Sequence, residues 1–119
     1  MVRVSTIVVL ALTAAIPARA QEPRLGTISF PTSAGPAAQT AFVRGVLYLH
    51  SFEYASAATA FREAQALEPG FAMAYWGEVM TLNHPVWNEQ DSVKARAVLD
   101  RLAPTPGARQ ATAPTARER

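Results

Sequence analysis

The chain has 119 residues, is 50% hydrophobic and 17% charged, and carries 24 alanines, 9 prolines and no cysteine, which describes one small domain with disordered ends and is too short for a standard two-domain enzyme. The lack of cysteine excludes disulfide frameworks, iron–sulfur clusters, thiolate zinc sites and cysteine nucleophiles. The formal charge is +2, but the first 20 residues hold two arginines and no acid; the remaining 99 are balanced at 9 basic and 9 acidic groups, and without a Lys/Arg run no nucleic-acid partner is expected.

Residues Met1 to Ala20 read as a signal peptide. Arg3 supplies the positive start, Val4 to Ile16 the apolar stretch, and Ala18-Arg19-Ala20 the small-x-small ending that signal peptidase accepts. Cleavage is expected after Ala20, so the protein is expected to be exported, periplasmic or secreted. The apolar run is too short for the roughly 20 residues that cross a bilayer as a helix, so no permanent membrane span is expected.

From residue 21 to 37 three prolines and two glycines predict an extended lead-in, in which Ile28 and Phe30 alternate briefly enough for a β-bridge or a packed arm. Four helical patterns follow. The first, residues 38–51, spaces Ala38, Ala41, Phe42, Val46 and Leu49 at helical intervals. The second, 54–67, does the same with Ala57, Ala60, Phe61, Ala64 and Leu67 and is stopped by Pro69-Gly70. The third, 72–83, carries Met73, Trp76 and Met80, and His84-Pro85 breaks it because the residue before proline avoids the helical region. The fourth opens at Gln90 or Asp91, uses Ala95, Val98, Leu99 and Leu102, and ends at Ala103-Pro104. Asp91 suits its N-cap and Arg101 the negative end of its dipole. Residues 104–119, without an aromatic or branched aliphatic side chain, are expected as a flexible tail or the truncated start of another unit.

An offset of 34 residues aligns Ala38 with Ala72, Phe42 with Trp76, Val46 with Met80 and His50 with His84. Within the first unit Gly45, Tyr48, Ala57, Phe61, Ala64 and Pro69 occupy the spacings of a helix–turn–helix signature: small residues where two helices approach, large ones between them, and a proline that ends the second helix. The second unit has Val79 where the first has its glycine, and a long turn, His84 to Gln90, between its helices. The chain therefore resembles the tetratricopeptide-repeat family, and in particular bacterial exported or envelope members, of which it looks like an N-terminal fragment. The stretches Leu49-His50-Ser51-Phe52-Glu53-Tyr54, Ala72 to Gly77 and Asn83 to Trp87 carry the closer likeness. The resemblance implies an all-α fold, antiparallel helix pairs stacked as an α-solenoid of two repeats, 38–71 and 72–103, with further repeats as neighbours and no enzymatic activity.

In such an array the first helices line a concave face. Gln39, Phe42, Val46, Leu49, His50, Met73, Trp76, Met80 and His84 are the residues expected there, where soft Met and flat Trp suit recognition of a peptide or protein. Trp87, in the long turn, is less easily explained as core. His50 and His84, with Glu53, Glu78 and Asn83 near them, invite a metal reading, but each histidine is better explained as a helix end, and no metal or other cofactor is expected. For catalysis nothing is organised. No phosphate loop or Gly-x-Ser-x-Gly occurs, and Glu53, Glu63, Glu68 and Glu78 are spaced as solvated helix faces would be. The expected function is an interaction scaffold rather than an enzyme. The alternative is the repeat region of a longer envelope enzyme or metal-binding protein whose chemistry lies downstream.

Overall fold

The computed structural model describes residues 24–119. The signal peptide expected over Met1–Ala20 lies outside the described residues. Five α-helices make up most of what is described: α1 (Pro36–His50), α2 (Tyr54–Leu67), α3 (Ala72–Met80), α4 (Ser92–Leu102) and α5 (Pro106–Thr112). A two-residue bridge, β1 (Asn83–His84) with β2 (Glu89–Gln90), pairs antiparallel around a 3₁₀ turn at Pro85–Trp87. None of the described helices is long and apolar enough to cross a membrane.

The helix boundaries follow local chemistry. Pro36 opens α1 two residues before the predicted start, because the first helical position has no use for the N–H that proline lacks. The α1–α2 turn, Ser51 to Glu53, closes by hydrogen bonds from the Phe52 amide to the Leu49 carbonyl (3.1 Å) and from the Glu53 amide to the Tyr48 carbonyl (3.0 Å). So short a connection folds α2 back along α1. Helix α3 stops at Met80, three residues before the predicted end. The amides of Thr81 and Leu82 bond to Glu78 and Val79, and the Thr81 hydroxyl donates to the Glu78 carbonyl at 2.6 Å, tightening the last turn. His84 therefore sits in the bridge, not at a helix end equivalent to that of His50. Asp91 caps α4, its carboxylate accepting from the Lys94 amide at 2.9 Å.

Each helix from α1 to α4 packs against the next, and α1 also reaches α3. The centre of this stack is the Phe61 ring of α2, fully buried between two glycines. A Cβ on Gly45 of α1 would lie 2.7 Å from Phe61 Cε1, and one on Gly77 of α3 only 2.3 Å from it. Three helices can meet around one phenylalanine because two of them present bare backbone to it. The residue of the second unit that permits the close approach is thus Gly77, two positions before the Val79 that the 34-residue offset pairs with Gly45. Around this point Phe42 stands edge to face with Phe30 (5.2 Å) and Phe71 (5.3 Å), and Ala38, Ala41, Ala57, Ala64 and Ala74 fill the narrow gaps. Each such ring pair adds about 0.5–1.5 kcal/mol beyond its burial.

Both ends of the described chain close on this core. Phe30 of the lead-in covers Phe42, whereas Ile28 is exposed. The stretch expected as a flexible tail or a next repeat instead contains α5, capped by the Thr105 hydroxyl, and buries Ala113. Its last residues return to the lead-in: the Glu118 carboxylate accepts from the Ser33 amide (2.9 Å) and hydroxyl (2.8 Å), and Arg117 lies 5.9 Å from the Phe30 ring. Side-chain hydrogen bonds and a single buried alanine tie down the tail, which is why hydrophobic spacing did not reveal it.

Candidate functional site

The residues expected on a concave face divide in two. Phe42 and Val46 are fully buried and Met73 nearly so. They are core, because α2 and Phe71 cover the face of α1 that carries Phe42 and Val46 and Met73 of α3 joins the same cluster, and they are corrected from partner contacts to packing residues. Gln39 is tied down as well, donating its amide to the Phe30 carbonyl at 2.7 Å and pairing with the Thr32 hydroxyl. Leu49 and Met80 remain half-buried, while His50 and Trp76 face solvent. Of the residues expected to hold the repeat together, Gly45, Ala57, Phe61 and Ala64 are buried and Tyr48 packs at the core's edge. Pro69 is exposed, and its carbonyl accepts from the Tyr75 hydroxyl at 2.9 Å.

Leu49, His50 and Met80 come together at one end of the helix stack. There they join Phe52, Tyr54, Asn83 and Pro85 around a shallow recess of about 180 Å³. Beside it lies a second, of about 300 Å³, walled by Phe52, Tyr54, His84, Trp87 and Glu89. Two turns build this rim. The α1–α2 turn contributes Phe52 and, at the start of α2, Tyr54, and the β1–β2 hairpin contributes His84, Trp87 and Glu89. The His84 imidazole stacks on Tyr54 with centroids 3.9 Å apart and planes 24° from parallel. It is held there by its Nε2, 2.9 Å from the Thr81 carbonyl oxygen, and its Nδ1, 3.3 Å from the Glu89 carboxylate. Trp87 stands at 79° to Tyr54 and 81° to Phe52.

Phe52 and Trp87 are more than half exposed, at 55% and 56%, and Val86, next to Trp87 in the hairpin turn, is 69% exposed. Apolar side chains of this size lying together in water mark a contact surface rather than a core. Phe52 also adopts φ +60° and Asn88, just beyond Trp87, φ +53°. Asparagine accepts the left-handed region through its short polar side chain, but phenylalanine is there at a cost of about 1–3 kcal/mol. The left-handed Phe52 lets its own amide and that of Glu53 cap the carbonyls of Leu49 and Tyr48 at the end of α1, whereas the exposure of its ring brings the folded chain no such return. Apart from Leu49, His50, Met80 and His84, the rim was not among the expected binding residues, although Trp87 stood out as an aromatic in a loop. A phenylalanine and a tryptophan in two separate turns give no periodic signal.

Glu78, expected on a solvated helix face, is corrected to a buried clasp, 3% exposed. Its carboxylate accepts from Arg62 Nε at 2.7 Å and Gln65 Nε2 at 2.7 Å, both on α2, and from the guanidinium of Arg101 on α4. Burial opposes its ionisation, but the hydrogen bonds from Gln65, Arg62 and Arg101 and the charge of Arg101 together hold it below the ordinary glutamate value. A cleft of about 340 Å³ beside it is lined by Arg62, Lys94 and Arg101 as well as Leu82, Ala97 and Val98. With its carboxylate already engaged by three donors, this cluster joins α2, α3 and α4 and offers no free acid or base. Among the described residues no three His, Asp or Glu side chains converge as metal donors. Comparison with family models, with curated proteins and with solved structures returns no match to the chain.

Proposed function

We propose that the protein is an exported helical-repeat scaffold of the tetratricopeptide type that binds a peptide or protein partner, without catalysis of its own. The packing of each helix on the next, with small residues at the crossing points, supports the repeat reading. The observation that carries the binding reading is the pair of Phe52 and Trp87, both exposed and with ring centroids 5.9 Å apart at one end of the stack. Aromatic side chains on a rigid turn bring large contact area at little entropic cost, the property that concentrates binding energy in such residues. The binding face is thus moved from the buried first-helix positions to their exposed ends, keeping Leu49, His50, Met80 and His84 and adding the two turns.

The test compares the protein with its Phe52→Ser/Trp87→Ser variant as immobilised bait in an envelope extract of the source bacterium. Partners retained by the parent and lost by the variant, with circular dichroism unchanged, are the expected result. An identical captured set would remove the rim from the binding reading.

A further inference from the structure

Phe52, Tyr54 and Trp87 form a corner of three steeply inclined rings, each pair T-shaped. Their centroids form a nearly equilateral triangle, with Phe52–Trp87 at 5.9 Å, Tyr54–Trp87 at 6.2 Å and Phe52–Tyr54 at 6.4 Å. The planes are mutually steep, at 81°, 79° and 68°. A cation about 4.5 Å above two perpendicular ring faces requires centroids about 6.4 Å apart, and it then lies within the roughly 6 Å over which a ring face attracts positive charge. The three separations match that requirement, and the recess of about 300 Å³ that these rings share with His84 and Glu89 leaves room for a ligand.

From this geometry we propose that the corner is an aromatic cage that binds a quaternary ammonium group. The proposal rests on the reading of this rim as a binding face and adds a ligand class to it. The chemistry of the walls selects that class. A primary ammonium entering the corner gives up hydrogen bonds to water that three aromatic faces do not replace. A trimethylammonium group has no N–H to satisfy, and its charge, spread over methyl groups, loses little on leaving water for ring faces. Glu89 places a carboxylate at the edge of the recess, and no lysine or arginine lines it. The His84 ring stacks on one face of Tyr54 and lines the recess with it. His84 itself is anchored at the Thr81 carbonyl, so this wall is preorganised. The turn that caps α1 and the β1–β2 hairpin fix the backbones from which the exposed Phe52 and Trp87 rings project.

The experiment is calorimetric titration of the full chain with choline and, separately, with 3,3-dimethyl-1-butanol, its neutral isostere. Saturable choline binding is expected, with the isostere at least about tenfold weaker, because only the charged ligand gains from the ring quadrupoles. Trp87→Ala is expected to lose binding, Trp87→Phe to keep part of it, and Glu89→Gln to weaken it severalfold. Trp87 and Glu89 are exposed, so these variants keep the fold, and circular dichroism verifies it. Sedimentation with phosphatidylcholine but not phosphatidylglycerol vesicles would identify a lipid headgroup as the source of the group; choline binding without sedimentation would identify a soluble one. Equal binding of choline and the isostere, or no saturable choline binding, overturns the cage. If that happens while the Phe52→Ser/Trp87→Ser variant still loses its captured partner, the cage fails and the rim stands. Choline binding with unchanged capture sustains the cage and removes the protein partner from the rim.

Discussion

Replacing Gly77 by alanine adds one methyl group at the point where α3 crosses Phe61. The new Cβ would lie 2.3, 2.5 and 2.6 Å from three atoms of the ring, far inside contact distance. The ring cannot retreat, because on its α1 side Gly45 is already so close that a Cβ there would lie 2.7 Å away, and Phe42 stands 5.7 Å off centroid to centroid. Alanine should favour the helix by about 1 kcal/mol, whereas overpacking a closed core costs about 1–3 kcal/mol and occasionally more. With the ring held from both sides the cost falls at the upper end, for a net loss of about 2 kcal/mol. In a domain of this size that lowers the melting temperature by about 8–16 °C. Gly45→Ala, with its longer approach, should cost about 1 kcal/mol or less. Thermal melts followed by far-UV circular dichroism measure both. The double variant Gly77→Ala/Phe61→Leu should melt above Gly77→Ala alone, since a smaller side chain opens the gap that the methyl fills, and coupling between touching residues is about 0.5–3 kcal/mol. A Gly77→Ala protein that melts at or above the parent would refute the wedged ring and with it the reason given for glycine.

Two further perturbations test the clasp and the arm. Because the folded pKa of Glu78 lies below its ordinary value, its stabilisation is complete above the unfolded glutamate pKa of about 4.3 and is lost as pH falls through the lower folded value. Glu78→Gln should therefore flatten that acid dependence of the melting temperature. At neutral pH it should cost about 1–2 kcal/mol, less than for a fully buried ion pair because Arg62 and Arg101 are half in water. An unchanged acid slope in the variant would mean that another carboxylate governs it. Phe30→Ala removes the ring that covers Phe42 and should release the lead-in at a cost of about 1–3 kcal/mol. Faster amide exchange at Ser33 and Gly35, whose N–H groups bond to Glu118 and Glu68, would show it, and unchanged exchange would show that those bonds hold the arm unaided.

Much of the helical architecture was legible because it rests on near neighbours. The apolar stripe from Ala57 to Leu67 and the Pro69-Gly70 stop predict α2 over the residues it occupies, Tyr54–Leu67, and Asp91 caps α4 through an amide three residues away. Local information also misled where one pattern was carried to a second place. The 34-residue offset pairs Gly45 with Val79 and His50 with His84, but α3 ends a turn early and brings Gly77, not Val79, onto Phe61.

By itself the sequence determined four of the five described helices, α1 to α4, and the ends of α2 and α4, since capping, proline and apolar spacing act within a few residues. It also determined that the packing around Phe61 requires small residues. Only the tertiary structure decided which face of each helix is covered. Phe42, Val46 and Met73 have the composition of a binding groove but lie in the core, and Glu78 has the setting of a solvated acid but is clasped by side chains 16, 13 and 23 residues away. The rim is the same case in reverse. Phe52 and Trp87 lie far apart in the chain, in two turns with no shared period, and are brought to 5.9 Å only because α1, α2 and α3 stack so that the turns emerge at one end. Spacing along a chain encodes the faces of single elements, whereas a site assembled between elements depends on how those faces pack.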